Sequence, residues 1–478
     1  MISKEPTGSD SIRRRHFLRG ITGGIAVAAL ASIPACVEGS RPERKPNIVL
    51  IFLDDQGYGD LGVYGCKDLR TPNIDSIAHN GIRCTDGYVS GPVCVPSRVG
   101  LLTGCYQQRF GCDDVADPPA SALFLSERLK KLGYSTGMMG KWHLNYAGFR
   151  AKDTGTCYPL QRGFDEFFGF HEGAHWFLPG DEHAPNMFAK AYSVDLKRGK
   201  ETVIEDEYLT TAFGREAVSF IERHKEEPFF LYLPFNAVHT PLEATDEDLK
   251  RYEHIEGKAR RILAAMTASM DDAVGRVLET LRKHGLEKDT LIFYISDNGG
   301  HPIANASLNG PLRGMKGSLY EGGIRVPFMM QWKGVLPKGK VYSQPVMSLD
   351  VYATSLAAAG DSQPSANIDG INLLPYTQGK KDSEPHESLY WRYIEMRALR
   401  KGKWKLIQQN AKRAVELYNL EDDIGEKRNI AKELPDKVKE LETTYDAWNK
   451  QMKEPKGTAI TSIGRLKKLG LWPLKKKQ

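Results

Sequence analysis

The sequence predicts an α/β protein, a sheet covered on both faces by helices, with a smaller strand-plus-helix subdomain at its C-terminal end. Three observations predict it. Short apolar runs alternate with helix-length segments over most of the chain, the pattern of a two-face-covered sheet. Four of those runs lead into charged or imidazole residues, and in open parallel sheets ligands bind past the C-terminal strand ends. After about residue 380 the texture changes to short strands, a turn-rich stretch and one helix. The boundaries read as 1–40 for a leader, 41–380 for the main domain and 381–478 for the subdomain, and 478 residues exceed one ordinary domain.

Taken in order, Arg14-Arg15-His16-Phe17-Leu18-Arg19 precedes a Gly- and Ala-rich apolar stretch from Gly20 to Ala35. A twin arginine followed by Phe-Leu resembles a bacterial Tat export signal, and the stretch is too short and too Gly-rich for a membrane span. It ends at Ile33-Pro34-Ala35-Cys36, which partly resembles a lipoprotein cleavage box. Pro34 departs from that pattern, so lipidation of Cys36 and simple cleavage both stand. The expectation is an exported protein that uses the Tat machinery and is periplasmic or anchored to a membrane through Cys36.

In the main domain, Asn47–Leu53, Thr136–Met139, Phe229–Pro234 and Leu291–Ser296 read as strands. Leu123–Leu132, Tyr208–His224 and Ala259–His284 read as helices. In the last, Leu263, Met266, Met270, Val274, Val277, Leu278 and Leu281 form a stripe at helical spacing, which marks a core face. In the subdomain, Ser388–Tyr393, Met396–Leu399 and Trp404–Gln408 read as short strands and Leu420–Ile430 as turns. A helix over Pro435–Met452 presents Val438, Leu441, Tyr445, Trp448 and Met452 on one face.

Composition is ordinary for a globular chain, 41% hydrophobic and 26% charged. Part of the net charge of +6 sits in Arg465, Lys467, Lys468, Lys475, Lys476 and Lys477, a solvated end that does not point to nucleic acid. The seven cysteines are Cys36, Cys66, Cys84, Cys94, Cys105, Cys112 and Cys157. Setting Cys36 and Cys94 aside leaves an odd number, which argues against a complete disulfide framework.

The polar residues fall at strand ends. Asn47–Leu53 ends in Asp54-Asp55, and Leu291–Ser296 in Asp297-Asn298-Gly299-Gly300. Thr136–Met139 leads into Lys141-Trp142-His143, and Phe229–Pro234 through Asn236 to His239. Three carboxylates and an amide brought together repel one another without a cation. Hard oxygen donors of this kind suit Ca²⁺ or Mg²⁺ better than zinc.

Between these strand ends in sequence lies Cys94-Val95-Pro96-Ser97-Arg98-Val99-Gly100-Leu101-Leu102-Thr103-Gly104. It resembles the signature of type I sulfatases, in which a Cys two residues before Pro is oxidised to formylglycine by a dedicated maturation enzyme. The resemblance extends through Pro46–Asp60, Gly140-Lys141-Trp142-His143, Val238-His239-Thr240-Pro241-Leu242, Ser296–Gly299 and Gly310-Pro311-Leu312-Arg313-Gly314-Met315-Lys316-Gly317. It implies an alkaline-phosphatase-like fold, with a large mixed, mostly parallel sheet flanked by helices. It implies a sulfuric ester hydrolase, and the family's habit together with export points to sulfated carbohydrate as substrate.

Carried over residue by residue, the resemblance implies that Asp54, Asp55, Asp297 and Asn298 bind one divalent cation, Ca²⁺ ahead of Mg²⁺, with residue 94 completing the shell. Arg98 would hold the region of residue 94, and Lys141 and Lys316 would contact the sulfate. His143 would act as base on the hydrated aldehyde and His239 as general acid. His301, Arg313, His175 and Trp176 are candidates for the rest of the substrate, with His171 and His183 nearby in sequence. The family's sulfate-proximal hydroxyl beyond Lys-x-His has no clear match. A phosphonate or phosphate ester hydrolase of the same superfamily is the alternative within the fold, and a non-catalytic carbohydrate-binding protein the alternative outside catalysis.

Overall fold

The computed structural model describes residues 44–144, 157–180, 189–361 and 368–456. The proposed leader with Cys36, His183 and the basic tail lie outside the described residues. Ten strands, numbered in chain order, form one sheet. In spatial order these are β11 (Lys340–Tyr342), β2 (Ile82–Cys84), β10 (Phe328–Gln331), β9 (Thr290–Ser296), β1 (Asn47–Leu53), β8 (Phe229–Pro234), β4 (Ser135–Lys141), β5 (Glu166–Phe170), β6 (Leu196–Arg198) and β7 (Glu201–Val203). The central five, β9-β1-β8-β4-β5, are mutually parallel, while β10 and β6 run antiparallel to their inner neighbours. A short parallel pair joins β3 (Gly87–Tyr88) to β12 (Val346–Met347). The mixed, mostly parallel α/β sheet expected from the sequence is what the chain forms.

The central strands read as continuous apolar runs because both faces are covered. All seven residues of β1 are fully buried, and alternate side chains enter different cores. Ile48, Leu50 and Phe52 join one, with the helices Cys94–Thr103, Leu125–Lys131 and Asp350–Ala358; Val49, Ile51 and Leu53 join the other, with Leu209–His224 and Lys258–Lys283. Burial of each such side chain stabilises the fold by roughly 1.5–3 kcal/mol. The stripe from Leu263 to Leu281 lies wholly within the second core.

Four further strands, β13 (Leu389–Tyr393), β14 (Met396–Lys401), β15 (Trp404–Gln408) and β16 (Glu416–Asn419), make a separate antiparallel sheet. The helix Pro435–Asn449 packs Leu441, Tyr445 and Trp448 there, with Trp448 stacked 5.0 Å from Tyr390. This sheet shares the first core through Trp391, Leu399, Leu406 and Leu417. Buried ion pairs also tie it down: Arg400 to Asp86 at 2.6 Å and Lys405 to Glu321 at 2.7 Å. Among the described residues no helix is long and apolar enough to cross a membrane.

Candidate active site

Register brings the strand ends together. Leu53 pairs with Ser296 across β1 and β9, so Asp54 and Asp297 leave the sheet side by side. Phe52 pairs with Pro234 across β1 and β8, which sets Asn236 and His239 on the flank of Asp54. The β4 strand delivers Lys141 beside β8 because Gly140, with φ 140°, lies where a Cβ would meet the Pro234 carbonyl oxygen at 2.0 Å. Above this edge starts the fully buried helix Cys94–Thr103, its first residue Cys94 following an extended Val93. Pro96 is tolerated in the opening turn, where its missing N–H is not needed, and Gly104 in the left-handed region ends the helix.

The side chains form one connected cluster. Lys141 Nζ lies 2.5 Å from Asp54 Oδ2, and Lys316 Nζ 2.7 Å from Asp55 Oδ1. Arg98, completely buried, donates to Asp297 Oδ2 at 2.9 Å and to the Lys141 carbonyl at 3.0 Å. Asn298 Nδ2 donates to Asp55 Oδ1 at 2.7 Å, and the Asp55 amide to Asp297 Oδ1 at 3.2 Å. His239 Nε2 lies 3.6 Å from Asp55 Oδ2, while its Nδ1 is 2.7 Å from the Thr240 carbonyl oxygen. Since a carbonyl only accepts, Nδ1 carries a proton and Nε2 is the nitrogen facing the cluster. Asp55 and His143 both sit in the left-handed region, at φ 61° and 57°. Such strain costs of order 1 kcal/mol or more per residue and persists where the surroundings fix it.

The charges are incompletely balanced. Burial opposes the Asp54 carboxylate, yet Lys141, His239 and Arg98 hold its pKa below the usual range. Burial and the adjacent Asp54 push Asp297 up to about 7 despite Arg98. Burial followed by Lys141 and Arg98 drives His143 well below its ordinary value, so its imidazole is neutral. Burial also raises the Cys94 thiol, against the pull of Lys141 and Lys316. An unmodified Cys94 is therefore a protonated thiol and a poor nucleophile.

A divalent cation fits this donor set. Asp54, Asp55 and His239 offer ligand atoms within 4.8 Å of one another. Among the described residues, Asp54 Oδ1 and Asn298 Oδ1 are buried without hydrogen-bond partners, and Asp297 is under-compensated by the cations around it. Oxygen atoms in that state are what a hard cation binds.

The other expected residues are held by contacts of their own. Arg313 Nη1 donates to Tyr418 Oη at 3.1 Å and to the Glu426 carbonyl at 2.6 Å, with its guanidinium over the Tyr320 ring. It turns toward the C-terminal sheet rather than the Asp–Lys cluster. His301 accepts from the Ala304 amide at 3.2 Å and so braces its own turn. His175 Nδ1 is 2.7 Å from the Trp176 carbonyl, and Trp176 donates to Ser193 Oγ at 3.1 Å while packing edge-on against Tyr192.

Two neighbours escaped the sequence reading. Gly173 lies against His143, where a Cβ would approach Nε2 to 2.7 Å. Tyr393, at the end of β13, is near enough for the charges of Cys94 and Lys316 to bear on its phenol. No local pattern marks either residue, since both arrive from other parts of the fold.

Comparison with known proteins agrees with this geometry. The family model described as Sulfatase matches residues 46–361, and the model described as N-sulphoglucosamine sulphohydrolase, C-terminal, matches residues 315–454. The N-acetylgalactosamine-6-sulfatase of Rattus norvegicus is 34% identical over 83% of this chain and 76% of its own length. The uncharacterized sulfatase YdeN of Escherichia coli strain K12 is 32% identical over 73% of this chain and 68% of its own. The crystal structure of Ps i-CgsB in complex with k-i-k-neocarrahexaose superposes with a TM-score of 0.80 at 35% identity, covering 90% of this chain and 98% of that one. With the nucleophile motif, the acidic strand ends and the fold in agreement, the chain belongs to the sulfatase family of the alkaline-phosphatase superfamily and is a sulfuric ester hydrolase.

Proposed function

We propose that this enzyme hydrolyses sulfate esters on carbohydrates, with position 94 converted from cysteine to formylglycine and one divalent cation, Ca²⁺ ahead of Mg²⁺, held by Asp54, Asp55, Asp297 and Asn298. The observation that carries the reading is the set of buried polar atoms without hydrogen-bond partners among the described residues, Asp54 Oδ1, Asn298 Oδ1 and His143 Nδ1, beside a thiol too weakly acidic to ionise. The carbohydrate part draws on the relatives, one bound to k-i-k-neocarrahexaose and others named N-acetylgalactosamine-6-sulfatase.

Hydrated formylglycine supplies a hydroxyl nucleophile and a second hydroxyl through which sulfate is later released. The cation supplies positive charge to the sulfate oxygens. The chain does the rest. Lys141 and Lys316 hold fixed positive charge at the strand edge, where charge develops during sulfuryl transfer. Arg98 anchors Asp297 and the Lys141 backbone, fixing the floor of the site one helical turn from residue 94. His143, neutral, takes a proton at Nδ1 from the nucleophile's second hydroxyl. His239, with Nδ1 fixed on Thr240, gives a proton from Nε2 to the departing sugar oxygen when it is imidazolium.

The proposal extends to maturation and location: residues 1–40 direct Tat export, a formylglycine-generating enzyme modifies Cys94, and Cys36 is lipidated if it is retained. Cell fractionation with mass analysis of the N-terminal and Cys94 peptides tests these points. For the reaction, protein co-expressed with a formylglycine-generating enzyme is assayed on defined sulfated oligosaccharides and on paired aryl sulfate and aryl phosphate esters. Sulfate release that rises with the formylglycine fraction is expected. Full activity with an unmodified thiol at position 94, or a preference for the phosphate ester, would refute it.

A further inference from the structure

A cation and the modified residue 94 leave a wholly unpaired buried amide past the end of β8 unaccounted for. Asn236, two residues beyond the end of β8, is 1% exposed, and neither its Nδ2 nor its Oδ1 has a hydrogen-bond partner among the described residues. A buried amide left wholly unpaired costs on the order of 1–3 kcal/mol per group, so chains rarely retain one without a use.

Its place in the fold says what the use is. The β8 strand lies between β1, which delivers Asp54, and β4, which delivers Lys141. Backbone bonds hold the segment rigidly: the Asp54 amide to the Ala237 carbonyl, the Val238 amide to the Asp54 carbonyl at 2.8 Å, and the His239 amide to the Asn236 carbonyl at 2.9 Å. Along β8, Phe230 and Tyr232 face the core that contains Phe52, the ring under the Arg98 guanidinium. Asn236 is thus a neutral amide on the segment that joins β8 to His239, at the edge where β1 delivers Asp54 and β4 delivers Lys141.

We infer that Asn236 is a substrate-binding residue of this site: its Nδ2–H donates to a sulfate oxygen of the ester, and its Oδ1 accepts from the nucleophile or a sugar hydroxyl. The inference rests on the sulfate-ester reading of the site. It assigns the sulfate a neutral hydrogen-bond donor. A neutral donor suits this edge, because it adds no charge to repel the cations already there, as a further cation would, or the anionic substrate, as a carboxylate would.

The experiment uses the full, cation-loaded, formylglycine-bearing enzyme and its Asn236→Leu, Asn236→Asp and Asn236→Gln variants. It measures inorganic sulfate as competitive inhibitor and calorimetric ligand, kcat/KM on 4-nitrophenyl sulfate, and thermal midpoint. Asn236→Leu should weaken inorganic sulfate about tenfold and lower kcat/KM ten- to a hundredfold, while its midpoint stays or rises because two unpaired polar atoms have gone. Asn236→Asp should weaken sulfate further, and Asn236→Gln should recover part of the loss. Unchanged sulfate affinity with a midpoint several degrees lower would overturn the inference and make Asn236 structural. Unchanged sulfate affinity with weaker Ca²⁺ binding would overturn it in favour of a cation ligand. If the wild type binds no inorganic sulfate and turns over no sulfate ester, the sulfate reading of the site fails and the inference fails with it.

Discussion

Removing Arg98 tests how the acidic strand ends coexist. The guanidinium is fully buried, 2.9 Å from Asp297, 3.0 Å from the Lys141 carbonyl and 4.0 Å from Asp54. Arg98→Ala leaves a buried carboxylate without its cation and a buried carbonyl without its donor. Breaking a buried pair on one side costs about 3–5 kcal/mol. The deficit should depend on pH in a defined direction. Asp297, already pushed up to about 7 by burial and Asp54, rises further once Arg98 is gone. A carboxyl whose folded pKa exceeds its unfolded value of 3.8 favours the folded state at low pH and disfavours it as pH climbs through the folded value. The variant should therefore lose more at pH 8 than at pH 5.5, with the loss still growing until pH passes the raised folded value, measured by urea unfolding of cation-free protein. Arg98→Lys should recover only part, since a single ammonium cannot span both Asp297 and the Lys141 carbonyl. A loss under about 1 kcal/mol at both pH values, or one that grows on acidification, would show that Arg98 is not what neutralises Asp297.

Four shorter expectations follow. Cys94→Ala should fold within about 1 kcal/mol of the parent, since the change is small, yet lose roughly a thousandfold or more in kcat/KM on 4-nitrophenyl sulfate. Ca²⁺ added to chelator-treated protein at a hundred times its Kd should stabilise it by about 2.7 kcal/mol, and Asp54→Asn should abolish most of that gain in a thermal-shift titration. Burial opposes the His386 cation, but Asp350 at 2.8 Å outweighs it and raises the imidazole above 6.5. That contribution is complete below pH 6.5 and lost as pH rises through the higher folded value, so His386→Leu should flatten the fall in urea midpoint between pH 6 and 9. Trp391→Ala empties a fully buried position and removes the bond from Nε1 to the Val89 carbonyl at 2.7 Å, for a loss of about 3–5 kcal/mol by denaturant unfolding.

By itself the sequence determined the apolar strands Asn47–Leu53 and Phe229–Pro234, the core stripe of the helix Lys258–Lys283, and the residue types of the site. These are legible because they are local. A strand buried on both faces reads as an unbroken apolar run, and a long amphipathic helix repeats its stripe many times. Edge strands carry no such signal. The β6 and β7 strands are three residues each, and half-exposed, so nothing in Leu196–Arg198 or Glu201–Val203 distinguishes them from a loop. The tertiary structure alone decided the sheet order, and with it which strand ends become neighbours. Register set Asp54 beside Asp297, and the Gly140 close approach set Lys141 beside Asp54. The same long-range packing turned Arg313 toward Tyr418, brought Tyr393 close enough to feel the charge of Cys94, and left the Asn236 amide without a partner among the described residues. A side chain's partners come from segments hundreds of residues away, and their proximity is fixed by how sheets stack and pair, which no local spacing records.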